Sequence, residues 1–355
     1  MSGLAGSQPA VSVITFCDQW PLPPPPSPGH SLMARPQSAT SPELTPILWS
    51  NENFDPALWE DLAPGRRAPL DAVERDEGYI STPDHQQLYW QSWRATEVPP
   101  RAVVALMHGY AEHSARYDHV GIALARAGYA VMAIDARGHG RSTGRRGHVE
   151  RYADYVDDFE LLIRRATQRW PDLPLFVLGH SNGGLISLRL ALRKPQNVRA
   201  FVVTSPLLGV APDLSPIMQK VGLVAARLMP TLSIASGIDP GALTHIQEVI
   251  DHHARDPLNF PTATAGWFSE AVGAMKDLHR RAGELEHPAL LLVAGDDRLV
   301  NARETERFFH QMGSHDRQLE LLPGLYHEVL NEEPWRELLA RALFFMEARR
   351  APAND

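Results

Sequence analysis

The stretch LFVLGHSNGGLISLRLALRK, residues 175–194, decides how the rest of the chain is read. Its first four residues, Leu175 through Leu178, have the length and apolar character of a buried strand, and the run from Leu185 onward reads as a helix. Between them lies Gly179-His180-Ser181-Asn182-Gly183, a G-x-S-x-G pentapeptide that has to turn a strand into a helix within a few residues. A serine on so sharp a turn is held in strained backbone geometry, with its hydroxyl raised above the end of the strand. Gly179 and Gly183 remove the side chains that would keep strand and helix apart, and Gly184 adds room. The pentapeptide alone is common by chance. The strand before it and the helix after it give it chemical meaning, as the seat of a nucleophile.

Reading outward, short apolar runs alternate with longer amphipathic stretches from about Leu88, the pattern of parallel strand–helix–strand units. Strands are expected at 102–107, 130–135, 175–178, 201–203, 289–293 and 319–322, with helices near 116–126, 154–170 and 332–349. The predicted class is α/β, a mostly parallel central sheet flanked by helices. Residues 206–287 interrupt the alternation. Ile217, Val221, Val224, Ala225 and Leu228 share one face of a helix there, so this insertion between late strands is expected to be a helical cap over the carboxyl edge of the sheet, where open α/β sheets bind ligands. With its apolar face turned inward, such a cap makes the pocket greasy.

Residues 1–70 differ from the rest, carrying PLPPPPSP at 21–28 and QSATSPELTP at 37–46. They lack core-forming periodicity and read as a disordered, proline-rich extension, with a partner-docking segment as the alternative and Met33 as a second candidate start; residues 71–355 form the domain. The net charge of −8 argues against a nucleic-acid partner. The single cysteine, Cys17, excludes an intrachain disulfide. No apolar run reaches the roughly 20 residues of a membrane span, and the short stretch 11–16 is too short for a secretory leader. The expectation is a soluble, cytoplasmic protein with peripheral membrane contact through the cap.

A serine hydroxyl needs a base to take its proton, and with a G-x-S-x-G turn the acid and then the histidine follow it in the chain. Asp296 and Asp297 come directly after the strand at 289–293; Asp297 is preferred because an apolar pair follows Asp297-Arg298 into the next helix, and Asp296 is the alternative. His327, just after the strand at 319–322, is the expected base. His245, His252, His253, His279 and His287 fall in the insertion, and His310 and His315 flank a helix end. The developing oxyanion needs fixed donors, expected to be the backbone N–H groups of Asn182 and of Tyr110 in the loop after the strand at 102–107. His108 reads as structural. This chemistry calls for no metal and no cofactor.

Four segments together, HGYAEHSARY (108–117), DARGHGRS (135–142), GHSNGG (179–184) and DRLV (297–300), resemble the monoacylglycerol lipase and lysophospholipase group of the α/β-hydrolases. The resemblance runs from about Leu88 to the last helix. It implies an α/β-hydrolase fold and cleavage of a single acyl ester of a small polar alcohol, glycerol foremost, so the expected partner is a small acyl-ester or monoacyl-lipid substrate. It also implies that Glu112 and Arg116 lie at the polar end of the pocket. Two departures matter: Asn182 stands where many relatives have methionine, which keeps the backbone donor but changes the pocket wall, and His253 stands where some have a cap tyrosine, which bears on head-group preference. A lysophospholipase, a short-chain carboxylesterase, an acyltransferase, a peptidase on the same scaffold and a non-catalytic binding protein are the rival readings. A dehalogenase is disfavoured, because the turn carries serine and not aspartate.

Overall fold

The structure, a computed structural model, describes residues 59–65, 72–210 and 216–351. Among the described residues, eight strands form one sheet, whose spatial order in chain numbering is 1-2-4-3-5-6-9-10. β1 (Val73–Ser81) and β2 (Gln87–Ala95) are an antiparallel hairpin, and β2 is antiparallel to its neighbour β4 (Tyr129–Ile134). β4, β3 (Ala102–Met107), β5 (Leu175–His180), β6 (Val198–Thr204), β9 (Ala289–Ala294) and β10 (Arg317–Leu322) are mutually parallel.

Every residue of β3, β4, β5 and β9 is buried, as a sheet covered on both faces requires. The two-residue period then divides each strand between two cores. In β3, Val103, Ala105 and Met107 join one cluster with α2 (Tyr152–Arg169), α3 (Asn182–Ala191) and Phe308 of α7 (Ala302–Gln311). Ala102, Val104 and Leu106 join the other, with α1 (Asp118–Arg126) and α8 (Trp335–Glu347).

The strands read from the sequence as continuous apolar runs are present. β1 and β2 are not among the strands expected from the sequence, because VERDEGYIS of β1 is a charged edge strand and QLYWQSWRA of β2 sets polar Gln91 and Ser92 among its buried residues. Most of the 1–70 extension lies outside the described residues. The described part packs on the domain: Trp59 and Leu62 are buried in the second core, Trp59 Nε1–H donates to Ala123 O at 2.9 Å, and its ring lies 6.2 Å from that of Trp335. Removing so large a buried side chain typically costs about 3–5 kcal/mol. Trp59→Ala is therefore expected to lower the urea midpoint clearly at unchanged m-value; an unmoved midpoint would show that residues 59–62 add nothing to the domain.

The insertion between β6 and β9 holds α4 (Pro216–Leu228), β7 (Ser233–Ala235), α5 (Gln247–Arg255), β8 (Thr262–Thr264) and α6 (Ala265–Arg280). It is not wholly helical, because β7 and β8 pair as an antiparallel ribbon. Three residues of the apolar face expected to point inward point outward instead, Val221, Val224 and Leu228 being 56%, 57% and 78% exposed, while Ala225 of the same face is half-buried. The reason is steric. α4 lies against α6 through Gly222, where an added Cβ would come 3.2 Å from the Phe268 ring, and Leu223 and Ala226 on that side are half-buried. Periodicity finds an apolar stripe, but the small residues beside it choose the packed side. No helix among the described residues is long and apolar enough to cross a membrane.

Candidate active site

Ser181 sits between β5 and α3 with φ 52° and ψ −116°, a left-handed conformation that costs a non-glycine residue energy. The surroundings over-determine it: Ser181 N–H donates to Thr204 O at 2.9 Å, and Ser181 O accepts from the N–H groups of Leu185 and Leu207. A Cβ at Gly179 would lie 2.6 Å from Gly183 O, and one at Gly183 would collide with the carbonyls of Met107 and His108. Both glycines are needed for the close approach.

The serine hydroxyl reaches His327, with Oγ 2.8 Å from Nε2, and His327 Nδ1 lies 2.7 Å from Asp297 Oδ2. The carboxylate only accepts, so Nδ1 carries the proton and Nε2 is left to accept from Ser181. The other carboxylate oxygen, Asp297 Oδ1, accepts from the N–H groups of Leu299 and Val300 at 2.8 and 2.9 Å. Asp296 is exposed and has no part in this chain. Burial disfavours the charged imidazole, but the adjacent Asp297 charge and hydrogen bond outweigh it and hold His327 above its ordinary pKa. Burial likewise pushes Asp297 up, and the His327 charge with the two backbone donors brings it below its ordinary value.

The loop 108–113 lies over the nucleophile, so that a Cβ on Gly109 would come 3.2 Å from that of Ser181. The Tyr110 N–H makes no hydrogen bond among the described residues, and the Asn182 N–H is the first of α3, where helix donors lack intrahelical partners. Both are therefore available beside Ser181. The Asn182 side chain does not line open space: its Oδ1 accepts from Tyr152 O–H at 2.6 Å. His108 is structural as expected. Its Nδ1 bonds Gly109 O, and its Nε2 accepts the Ala136 N–H.

Glu112 and Arg116 stand beside this centre in a buried charge network. Glu112 accepts from Gly109 N–H, Tyr117 O–H and Arg116, at 2.5, 2.7 and 2.6 Å. Arg116 also makes a two-pronged pair with Glu328 at 2.5 and 2.8 Å. Burial alone would neutralise Glu112, yet Arg116 and its other donors hold it well below the usual carboxylate range. His180, whose ring centroid is 4.8 Å from that of His327, is pushed down to about 4 by burial and by that neighbour. Arg116 and His253 both line a chamber of about 350 Å³, shared with His113, His252 and Asp256. Buried Nδ1 of His253 has no hydrogen-bond partner among the described residues. Glu328 escaped the sequence reading because nothing local links it to Arg116, 212 residues earlier. Tyr152 escaped it for the same reason.

A mostly parallel, doubly covered sheet with a strained serine on the strand-to-helix turn after β5 defines an α/β-hydrolase. Residues 98–334 match the family described as serine aminopeptidase, S33. The monoacylglycerol lipase of Mycolicibacterium smegmatis is 36% identical over 237 residues, covering 66% of this chain and 84% of that one. Phospholipase YtpA of Bacillus subtilis is 29% identical over 253 residues, covering 71% and 96%. Among solved structures, the monoacylglycerol lipase of Paleococcus ferrophilus superposes with a TM-score of 0.65 at 27% identity, covering 77% of this chain and 99% of that one. The chain belongs to the serine aminopeptidase S33 family of α/β-hydrolases, within the group that holds the monoacylglycerol lipases.

Proposed function

We propose that the chain cleaves the ester of a monoacylated glycerol by two-step acyl transfer, with Ser181 as nucleophile, His327 as base and Asp297 as the carboxylate that orients it. The observation that carries this reading is the unbroken hydrogen-bonded chain from Ser181 Oγ through His327 to Asp297. Ser181 Oγ attacks the ester carbonyl carbon while its proton passes to His327 Nε2. The oxygen that becomes negative is received by the N–H groups of Tyr110 and Asn182. The carbon–oxygen bond to glycerol breaks, and the departing alkoxide takes the proton from His327. Water then repeats the attack on the acyl-serine, giving its proton to His327, and the acid leaves as Ser181 regains its own.

The buried polar network of Glu112 and Arg116 supports placing the alcohol on that side, with His253 farther along it. Rates on monoacylglycerols, lysophospholipids and short esters, measured side by side, test the proposal. A monoacylglycerol is expected to give the highest kcat/KM, and a maximum on acetyl esters would overturn it.

The outward stripe on α4 continues through exposed Met229, Leu232 and Ile234. We infer that this face gives a cytoplasmic protein its peripheral contact with lipid. Burying one leucine side chain stabilises such contact by about 1.5–3 kcal/mol, so Leu228→Glu is expected to weaken vesicle binding roughly 10-fold or more. Turnover of a soluble ester should stay as it was. Undiminished sedimentation of the variant with vesicles would remove the inference.

A further inference from the structure

The side chain of Tyr110 leaves the catalytic centre and runs into the cap. Its ring stacks on Trp267 of α6, with centroids 3.7 Å apart and planes 28° from parallel, and meets Phe260 edge-on at 5.7 Å. Its hydroxyl lies 3.0 Å from Gly147 O and 3.2 Å from Thr262 O, the latter on β8. Gly147 O also accepts from the N–H and Oγ1 of Thr264, so one carbonyl gathers the loop and the ribbon. Next along the chain, Ala111 has φ 64°, and its carbonyl accepts the Phe260 N–H at 3.3 Å. The loop that carries the Tyr110 N–H is thus fastened to residues 260–267 on consecutive residues. Gly147 is matched to this fastening, because a Cβ there would come 2.5 Å from the Tyr110 hydroxyl.

We propose that the Tyr110 side chain is a positioning element for the oxyanion hole: it clamps its own backbone N–H to the β7–β8 ribbon, so that the donor and the base of the cap hold one geometry. The inference rests on Ser181 being the nucleophile. An oxyanion donor acts only if it is fixed before charge develops, and a misplacement of about 1 Å can cost about 100-fold in rate. A clamp that loosens the donor without removing it therefore slows turnover and leaves ground-state binding alone.

Tyr110→Phe keeps the ring on Trp267 and deletes both hydroxyl contacts. Its kcat on a soluble short-chain ester is expected to fall roughly 10-fold at unchanged KM. Its Ki for a trifluoromethyl ketone, which forms the tetrahedral oxyanion, should rise by the same factor. Gly147→Ala, which crowds the Phe260 ring and Thr262 O as well as the hydroxyl at a residue with φ 61°, is expected to lower kcat and raise Ki by at least the factors seen in Tyr110→Phe. Wild-type kcat and Ki in Tyr110→Phe overturn the proposal, as does a loss of activity that only follows a loss of folded protein. If wild type takes up neither the ketone nor a fluorophosphonate, the nucleophile reading falls and the clamp with it. If wild type takes up both and Tyr110→Phe equals it, the clamp alone falls.

Discussion

Ser181→Ala is expected to lower kcat on a monoacylglycerol by roughly 10⁴–10⁶, the loss seen when the nucleophile of such a triad is removed. The variant should remain folded, because it gives up one side-chain hydrogen bond, to His327, worth about 1 kcal/mol. The backbone bonds of residue 181 to Thr204, Leu185 and Leu207 do not involve the side chain. Those bonds hold the residue at φ 52°, and the strain is the same for alanine as for serine. Ser181→Gly supplies the control. Glycine adopts this backbone region readily, so that variant should be at least as stable as Ser181→Ala and equally inactive. Two inactive variants that differ in stability would separate lost chemistry from lost fold. Fluorophosphonate labelling should vanish in both. Retention of most of the activity by Ser181→Ala would mean that another group attacks the ester.

The parts legible in the sequence are those where one residue pattern has one physical solution. A G-x-S-x-G turn between an apolar run and a helix leaves no room for side chains at Gly179 and Gly183, and the backbone there passes as closely as that requires. The buried parallel strands read directly because both of their faces are apolar. Strand β1 did not, since an edge strand with one wet face carries charge as readily as a loop does. The outward turn of α4 was hidden for a different reason: its sequence is apolar on more than one side, and the deciding feature is the close approach at Gly222 to Phe268 of α6. At the site, Ser181, Asp297 and His327 could be named because each follows a strand. Glu328, Tyr152 and the tie of Tyr110 to β8 could not, because they depend on which distant backbone arrives opposite, and no local pattern records that.

Asp297→Asn is expected to reduce kcat by about 10⁴ while leaving the fold intact, and the reason lies in how the carboxylate is held. Asp297 Oδ1 is fixed by two N–H donors, from Leu299 and Val300, which will select the oxygen of an asparagine amide. The amide NH₂ must then face His327 Nδ1, where Asp297 Oδ2 now accepts. Two donors cannot share that position, so the ring changes tautomer and carries its proton on Nε2. That nitrogen, 2.8 Å from Ser181 Oγ, can no longer accept from it. The pH profile adds a second readout. Burial opposes the imidazolium, while Asp297 first, and then Glu328 and Glu112, hold His327 above its ordinary pKa. The base must be neutral to act, so wild-type kcat/KM should rise with pH through a midpoint above the usual histidine value of about 6.5. Removing the Asp297 charge should move the midpoint of the residual activity downward. Asp296→Asn, an exposed change one residue away, should leave both rate and midpoint where they are. Equal losses in the two asparagine variants, or an Asp297→Asn midpoint that stays in place, would show that another carboxylate orients the base.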